Sequence, residues 1–352
     1  MKLSDYVARF LAGEGIRHVF AVSGGASLHL IHSVAETPGI EFVCPQHEQA
    51  AAMAADAYAR VTGNLGVAIA TSGPGATNMI TGVCCAYYDS VPVMCLTGQV
   101  STFRMKGDTG VRQLGFQETD TVEMYRPITK YGVQVRDPRR IRFELEKAAH
   151  IARSGRPGPV LVDIPDDVQR MNIDADGLEP FVPAKETDCP KPSDGQINHC
   201  LELLREAKRP VLILGWGVRL AKAGADARAL VERLGVPVAL TWAALDLIPS
   251  DHPLVTGAFG THGTRHGNFA VQNADLVVAI GARLDTREAG SPMTSFAREA
   301  KKVVVDIDPS ELGKFKRLGV DIDVMIHADA GEVIRALNRR LGETAVREAS
   351  GW

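Results

Sequence analysis

Short runs rich in Val, Ile and Leu alternate with helix-length amphipathic stretches along this chain, and that alternation is its tightest constraint. A strand that feeds a crossover helix returns parallel to itself, and a parallel sheet has to be covered on both faces. The expected fold class is therefore α/β, as two doubly wound parallel-sheet domains with helices on both faces. In the first half, residues 18–22, 42–44, 66–71, 91–97 and 159–164 read as strands. Helices are expected at 4–12, capped by Ser4, and at 46–60, 76–87 and 143–152. Between Met171 and Pro192 no period is sustained, and prolines at 180, 183, 190 and 192 mark a connection. A second series follows, with strands at 211–214, 236–240, 276–280, 302–307 and 324–326. Its helices are expected at 195–207, 223–234 and 331–341, with another ending at 269–273. The expected organisation is a first domain at 1–170, a linker at 171–192, a second Rossmann-like domain at 193–341 and a tail at 342–352.

Bulk properties remove several functions. The net charge of −3 is dispersed, so there is no basic face for nucleic acid. No apolar run reaches the length of a membrane span. Met1 to Asp5 lead straight into an amphipathic pattern without the regions of a signal peptide, which makes the cytoplasm the expected compartment. Cys44, Cys84, Cys85, Cys95, Cys189 and Cys200 form no CxxC pair and are expected as buried free thiols, not zinc ligands.

Four segments carry candidate chemistry. The Ala-rich stretch Gln46 to Arg60 places Glu48 in a first helical turn just past a strand. Ligands of open parallel sheets bind beyond the carboxyl ends of the strands. The plain alternative is a carboxylate that only complements the helix dipole. Ser72-Gly73-Pro74-Gly75 turns from strand to helix, where backbone N–H groups can be aimed at a ligand. It is a poor dinucleotide fingerprint, because Asn78 stands where a third glycine belongs, and no Gly-Lys-Ser/Thr follows. A simple tight turn would read the same way. Tyr88 to Pro92, continuing through Leu96 to Val100, puts polar groups at a strand end. Leu114 to Asp120 is a polar and aromatic loop suited to lining a pocket.

In this order the four segments resemble the pyrimidine-binding domain of thiamine-diphosphate enzymes, most nearly that of the acetolactate synthase large subunit. Gly155 to Pro165 closes the domain in the same way. Gly260 to Arg265, Gly281 to Arg287 and Val305 to Pro309 resemble the family's central domain. The resemblance implies that Glu48 hydrogen-bonds the aminopyrimidine nitrogen of thiamine diphosphate, favouring the tautomer that deprotonates the thiazolium. It implies that Gly25, Phe116 and Gln117 face the reacting carbons and that Pro74, Asn78 and Gln99 border the cofactor. It assigns a flavin, FAD, to Arg156, Gly215, Gly217, Thr241, Gly260, His262, Gly281, Arg283, Asp285, Arg287, Asp306 and Ile307. Arginines beside glycine turns suit a pyrophosphate.

The implied reaction decarboxylates pyruvate, a small 2-keto acid, and condenses the resulting two-carbon unit with a second keto acid. A related 2-keto acid decarboxylase or lyase, and a non-catalytic nucleotide-binding module, are the alternatives. Three departures bear on flavin and substrate: Trp216 between Gly215 and Gly217, the segment from Thr241 to Asp246, and Thr286 between Asp285 and Arg287. The family anchors the diphosphate through Mg²⁺ on a third domain with a Gly-Asp-Gly motif, which this sequence lacks. That domain is expected in cis or on a separate chain. The family's active site lies between subunits, so a homodimer or higher oligomer is expected.

Overall fold

Every pairing within the two sheets of the structure is parallel. It is a computed structural model that describes residues 1–183 and 191–342. The chain divides into two units, Met1–Lys185 and Glu186–Trp352. The first holds β1 (His18–Ala21), β2 (Glu41–Val43), β3 (Gly66–Ala70), β4 (Val93–Gln99), β5 (Tyr131–Gln134) and β6 (Val160–Pro165), in the order β2-β1-β3-β4-β6-β5. The second holds β7 (Pro210–Leu214), β8 (Val238–Leu240), β9 (Val255–Ala258), β10 (Leu276–Ile280), β11 (Lys301–Asp306) and β12 (Val324–His327), in the order β12-β11-β10-β7-β8-β9. Both sheets grow outward in two directions from their first strand. The order therefore reverses beside β1 in one sheet and beside β7 in the other, and such switch points open a crevice at the carboxyl edge.

Period-2 alternation explains why the strands are apolar throughout. Leu276, Val278 and Ile280 of β10 face one hydrophobic cluster, with Leu201, Leu230 and Leu337. Val277 and Ala279 face another, with Phe259, Phe296 and Phe315. In the first unit, Met94 and Leu96 of β4 join Val160, Val162 and Ile164 of β6 beneath Leu3, Leu11, Ile141 and Leu145. The opposite face of β3 and β4 is covered by helix Glu48–Thr62, on which helix Ile80–Tyr88 packs, and small residues allow close approach. A Cβ at Gly66 would lie 2.0 Å from the Ala55 carbonyl oxygen, and one at Gly82 would lie 2.6 Å from the Ala52 Cβ.

The α/β class and both parallel sheets are as expected; several details differ. Ser4 is not a cap: the first helix, Leu3–Gly13, starts before it, and the Ser4 hydroxyl accepts from Ser33 Oγ at 2.8 Å. The second expected helix begins at Glu48, because His47 takes the cap and its Nδ1 accepts from the Gln49 N–H at 3.1 Å. The expected helix 76–87 is two helices, Pro74–Asn78 and Ile80–Tyr88, interrupted at the buried Met79. β5 and β9 are half-buried strands that carry a glycine each and no apolar run, so nothing in their sequence announced them. Helices Leu28–Ala35 and Pro309–Arg317 were likewise not anticipated. Cys95 and Cys200 are buried free thiols, but Cys44 and Cys85 are exposed, one just past β2 and one on an outer helix face. Residues 184–190 of the expected linker, Cys189 and Pro190 among them, and 343–352 of the tail lie outside the described residues. Among the described residues no helix is long and apolar enough to cross a membrane.

Candidate functional site

The loops that leave β1, β2, β3 and β4 all emerge at the carboxyl edge of the first sheet, around its switch point. That edge gathers most of the first-unit residues singled out by sequence. Glu48 opens its helix directly after a short connection, residues 44–47, from β2, and it is half-buried. The Asn78 amide, at the end of the Pro74–Asn78 helix, donates from Nδ2 to Glu48 Oε2 at 2.9 Å. Glu48 Oε1 has no hydrogen-bond partner among the described residues. A Cβ on Gly75 would stand 3.4 Å from that oxygen and 2.7 Å from Thr71 Cγ2. Gly75 thus keeps a side chain out of the space beside the free carboxylate oxygen.

Thr71 is a site residue that the sequence reading missed. Its methyl and hydroxyl occupy the gap between two glycines, since a Cβ on Gly24 would fall 2.5 Å from Thr71 Cβ. Its Oγ1 accepts from the Ala26 N–H at 3.1 Å, which ties the β1 loop to the β3 loop. Gly25, exposed, begins the 3₁₀ turn Gly25–Ser27 of that loop. The end of β4 packs beneath it, because a Cβ on Gly98 would lie only 2.0 Å from the Ala26 carbonyl oxygen.

Gln117 lies over Gly73. Both have positive φ, 64° and 61°, and a Cβ on Gly73 would sit 2.8 Å from the Gln117 carbonyl oxygen. A non-glycine residue in the left-handed region costs about 1 kcal/mol and needs its surroundings to hold it. Glu118 supplies that support. Its carboxylate accepts from the N–H of Lys106 at 2.7 Å, of Leu114 at 2.9 Å and of Gly115 at 3.3 Å. Glu118 is buried, a property the sequence of this loop does not announce. Phe116 projects outward and is 84% exposed, so it stands on the rim. Pro74 is also exposed. Gln99 is buried at the end of β4 and donates from Nε2 to the Thr119 carbonyl oxygen at 2.8 Å.

Arg156 is not brought to this edge. It lies in the connection that precedes β6, at the amino edge, where its Nε donates to Ser90 Oγ at 2.8 Å.

In the second unit the predicted residues also line one carboxyl edge. Gly215 and Gly217 follow β7, Thr241 follows β8, Gly260 and His262 follow β9, and Gly281 to Arg287 follow β10; Asp306 ends β11 and Ile307 follows it. The glycine clearance at the switch point is filled by the protein's own backbone. Gly217 N–H donates to the Gly281 carbonyl oxygen at 2.9 Å, and a Cβ on Gly215 would stand 2.2 Å from that oxygen. These glycines fit strand-end loops together. The cationic loop after β10 joins the loop after β9. Gly260 packs on the Arg287 carbonyl, Thr261 N–H donates to it at 2.7 Å, and Asn268 brackets Gly260 from both sides. Burial alone would raise the Asp285 carboxyl. The Arg287 N–H, the Arg283 guanidinium and the Glu288 N–H outweigh it and hold Asp285 below its ordinary value. The exposed His262 ring stands 5.0 Å from the half-exposed Trp242 ring, tilted 58° to it, at this edge. Among the described residues no group of three or more His, Cys, Asp or Glu side chains is placed to hold a metal ion.

Two parallel units of this kind, with a glutamate at the first switch point and a Rossmann-ordered second sheet, define a cofactor-binding α/β enzyme architecture. Residues 1–124 match the N-terminal TPP-binding domain of thiamine pyrophosphate enzymes, and residues 197–337 match the central domain of the same enzymes. The chain belongs to the thiamine pyrophosphate enzymes. It is 38% identical to the probable acetolactate synthase large subunit of Methanocaldococcus jannaschii, over 100% of this chain and 58% of that protein. It is 40% identical to the acetolactate synthase large subunit of Corynebacterium glutamicum, over 95% of this chain and 52% of that one. With an acetolactate synthase of Arthrospira platensis the identity is 41%, over 94% and 56%. The chain spans about half the length of the curated relatives it matches.

Proposed function

We propose that this chain contributes the cofactor-activating part of a thiamine-diphosphate-dependent carboligase of the acetolactate synthase type. The observation that carries the reading is the asymmetry of Glu48: one oxygen is held by Asn78, and the other faces the space that Gly75 leaves clear. When bound, thiamine diphosphate supplies a nucleophilic carbon and an electron sink for decarboxylation of a 2-keto acid. Glu48 would share a proton with the pyrimidine ring from Oε1 while Asn78 fixes the rotation of the carboxyl group. Pro74, Asn78 and Gln99 would border the ring. Gly25, Gln117 and Phe116 would flank the reacting carbons, with Phe116 at the entrance. The diphosphate and its Mg²⁺ belong, by the resemblance, to a further domain in cis or on a partner chain. A homodimer or larger assembly, two keto acids as substrates and a cytoplasmic compartment are parts of the same proposal.

We further propose that the second unit binds FAD along its carboxyl edge, with Arg283 and Arg287 facing the pyrophosphate. A carboligation involves no net redox change, so the flavin would be structural.

The test is direct. The protein that carries this chain should consume pyruvate and yield CO₂ and acetolactate in the presence of thiamine diphosphate and Mg²⁺. CO₂ without a condensed product would move the reading to a decarboxylase. Cofactor binding with neither product would leave a binding module.

A further inference from the structure

β6 reads Val-Leu-Val-Asp-Ile-Pro and is buried along its whole length, yet Asp163 sits in its middle. A carboxylate in such a strand is costly unless donors surround it. Register places the donors. Thr97 of β4 and Gln134 of β5 stand directly opposite Asp163 on either side. Thr97 Oγ1 donates to Asp163 Oδ1 at 2.6 Å, and Gln134 Nε2 donates to Oδ2 at 2.8 Å. Gln99, two residues beyond Thr97 on the same strand face, donates from Nε2 to Oδ2 at 3.3 Å. The same Nε2 donates to the Thr119 carbonyl oxygen, and Gln99 Oε1 accepts from the Val100 N–H at 3.0 Å. Every polar atom of the Gln99 side chain is therefore committed, in one amide orientation only. A carboxylate at 163 enforces that orientation because it presents acceptors alone.

We propose that Asp163 is a positioning residue: it locks the Gln99 amide against Thr119 and so anchors the loop that lays Gln117 over Gly73 and sets Phe116 at the rim. The chain of contacts runs from the sheet interior to the candidate site, and Asp163 itself is fully buried at its inner end. The inference rests on the carboligase reading only for the reaction it serves.

Protonation of Asp163 would weaken the lock. Burial pushes its carboxyl up to about 6, against the pull of Gln134, Thr97 and Gln99. Among the described residues, the other titratable or charged groups acting on it are Tyr125 from the Thr121–Tyr125 helix and Arg136 past the end of β5; Cys95 on β4 acts on Tyr125. Tyr125 is buried, and its hydroxyl donates to the Ala76 carbonyl oxygen at 2.5 Å.

Asp163→Asn is the test, because an amide keeps the shape and sets an N–H donor against Gln99 or Gln134. Hydrogen exchange of the folded protein carrying this chain should accelerate about tenfold or more over 113–120 relative to β3, the loss expected for one strong hydrogen bond. The KM for the 2-keto acid should rise while β3 protection holds. In the wild type, 113–120 should loosen relative to β3 as pH falls through about 6, and that dependence should vanish in the variant. If the variant does not fold, the wild-type pH series carries the test alone. Unchanged protection over 113–120 in both experiments overturns the proposal. Loosening over 113–120 with no 2-keto acid turnover by the wild type supports the anchoring and removes the carboligase reading. Turnover with an unmoved loop and an unmoved KM does the reverse.

Discussion

Asn78 donates from Nδ2 to Glu48 Oε2 at 2.9 Å, joining the end of one short helix to the first residue of another. The bond selects which carboxylate oxygen stays available. Glu48→Gln preserves size and the contact with Asn78, since an amide oxygen can still accept from it. It also replaces Oε1 by an N–H donor that cannot share a proton with a ring nitrogen. Turnover of the protein carrying this chain should drop by at least about 100-fold, the usual scale for losing a positioned acid or base. Circular dichroism and melting temperature should stay at wild-type values. Undiminished turnover would remove Glu48 from the chemistry.

Gly98→Ala tests how tightly the β1 loop is seated on β4. The added Cβ would fall 2.0 Å from the Ala26 carbonyl oxygen, a backbone atom that has no rotamer to escape into. Denaturant unfolding should show a loss of about 2–3 kcal/mol, as for other overpacked sites. Wild-type stability in this variant would mean that the Gly25–Ser27 turn shifts freely.

Glu288 gives the second unit a signed pH dependence. Burial, and then the charge of Asp285, push its carboxyl up to about 7, and its Oε2 is buried without a hydrogen-bond partner among the described residues. An acid whose folded pKa lies above its unfolded value favours the folded state while protonated. Its contribution is complete below about 4.5 and fades as pH rises to about 7. Glu288→Gln should therefore be more stable than wild type above neutrality, by an amount of order 1–3 kcal/mol. The two proteins should converge near pH 4.5. A constant difference across that window would place the Glu288 carboxyl in contact with solvent.

Arg287→Ala probes the flavin assignment without disturbing the fold. The backbone N–H of Arg287 is held by Asp285 Oδ1 at 2.8 Å, while its side chain is exposed. FAD titration followed by fluorescence should show affinity reduced about tenfold, the value of one charge-assisted contact. The melting temperature should not move. Absence of FAD binding by the wild type would withdraw the assignment.

Much of this organisation was legible before any coordinates. Runs such as Leu276 to Ile280 can be satisfied only by burial on both faces, so their alternation with helices already meant parallel sheets. Glu48, the Ser72 to Gly75 turn and the 114–120 loop stood out because strand ends carry ligands in such sheets. The edge strands β5 and β9 stayed hidden because half-buried strands need no continuous apolar run. Asp163 and Glu118 stayed hidden for a different reason. What each does depends on donors that lie 29 to 66 positions away for Asp163, and on loop backbone for Glu118. The sequence by itself determined the layers, because hydrophobic periodicity is a local property of the chain. Only the tertiary structure decided which oxygen of Glu48 stays free, where Arg156 lies and what the glycines at 215, 217 and 281 accommodate. Those outcomes depend on hydrogen-bond direction and contacts of a few ångströms between segments distant in the chain, and no local pattern encodes them.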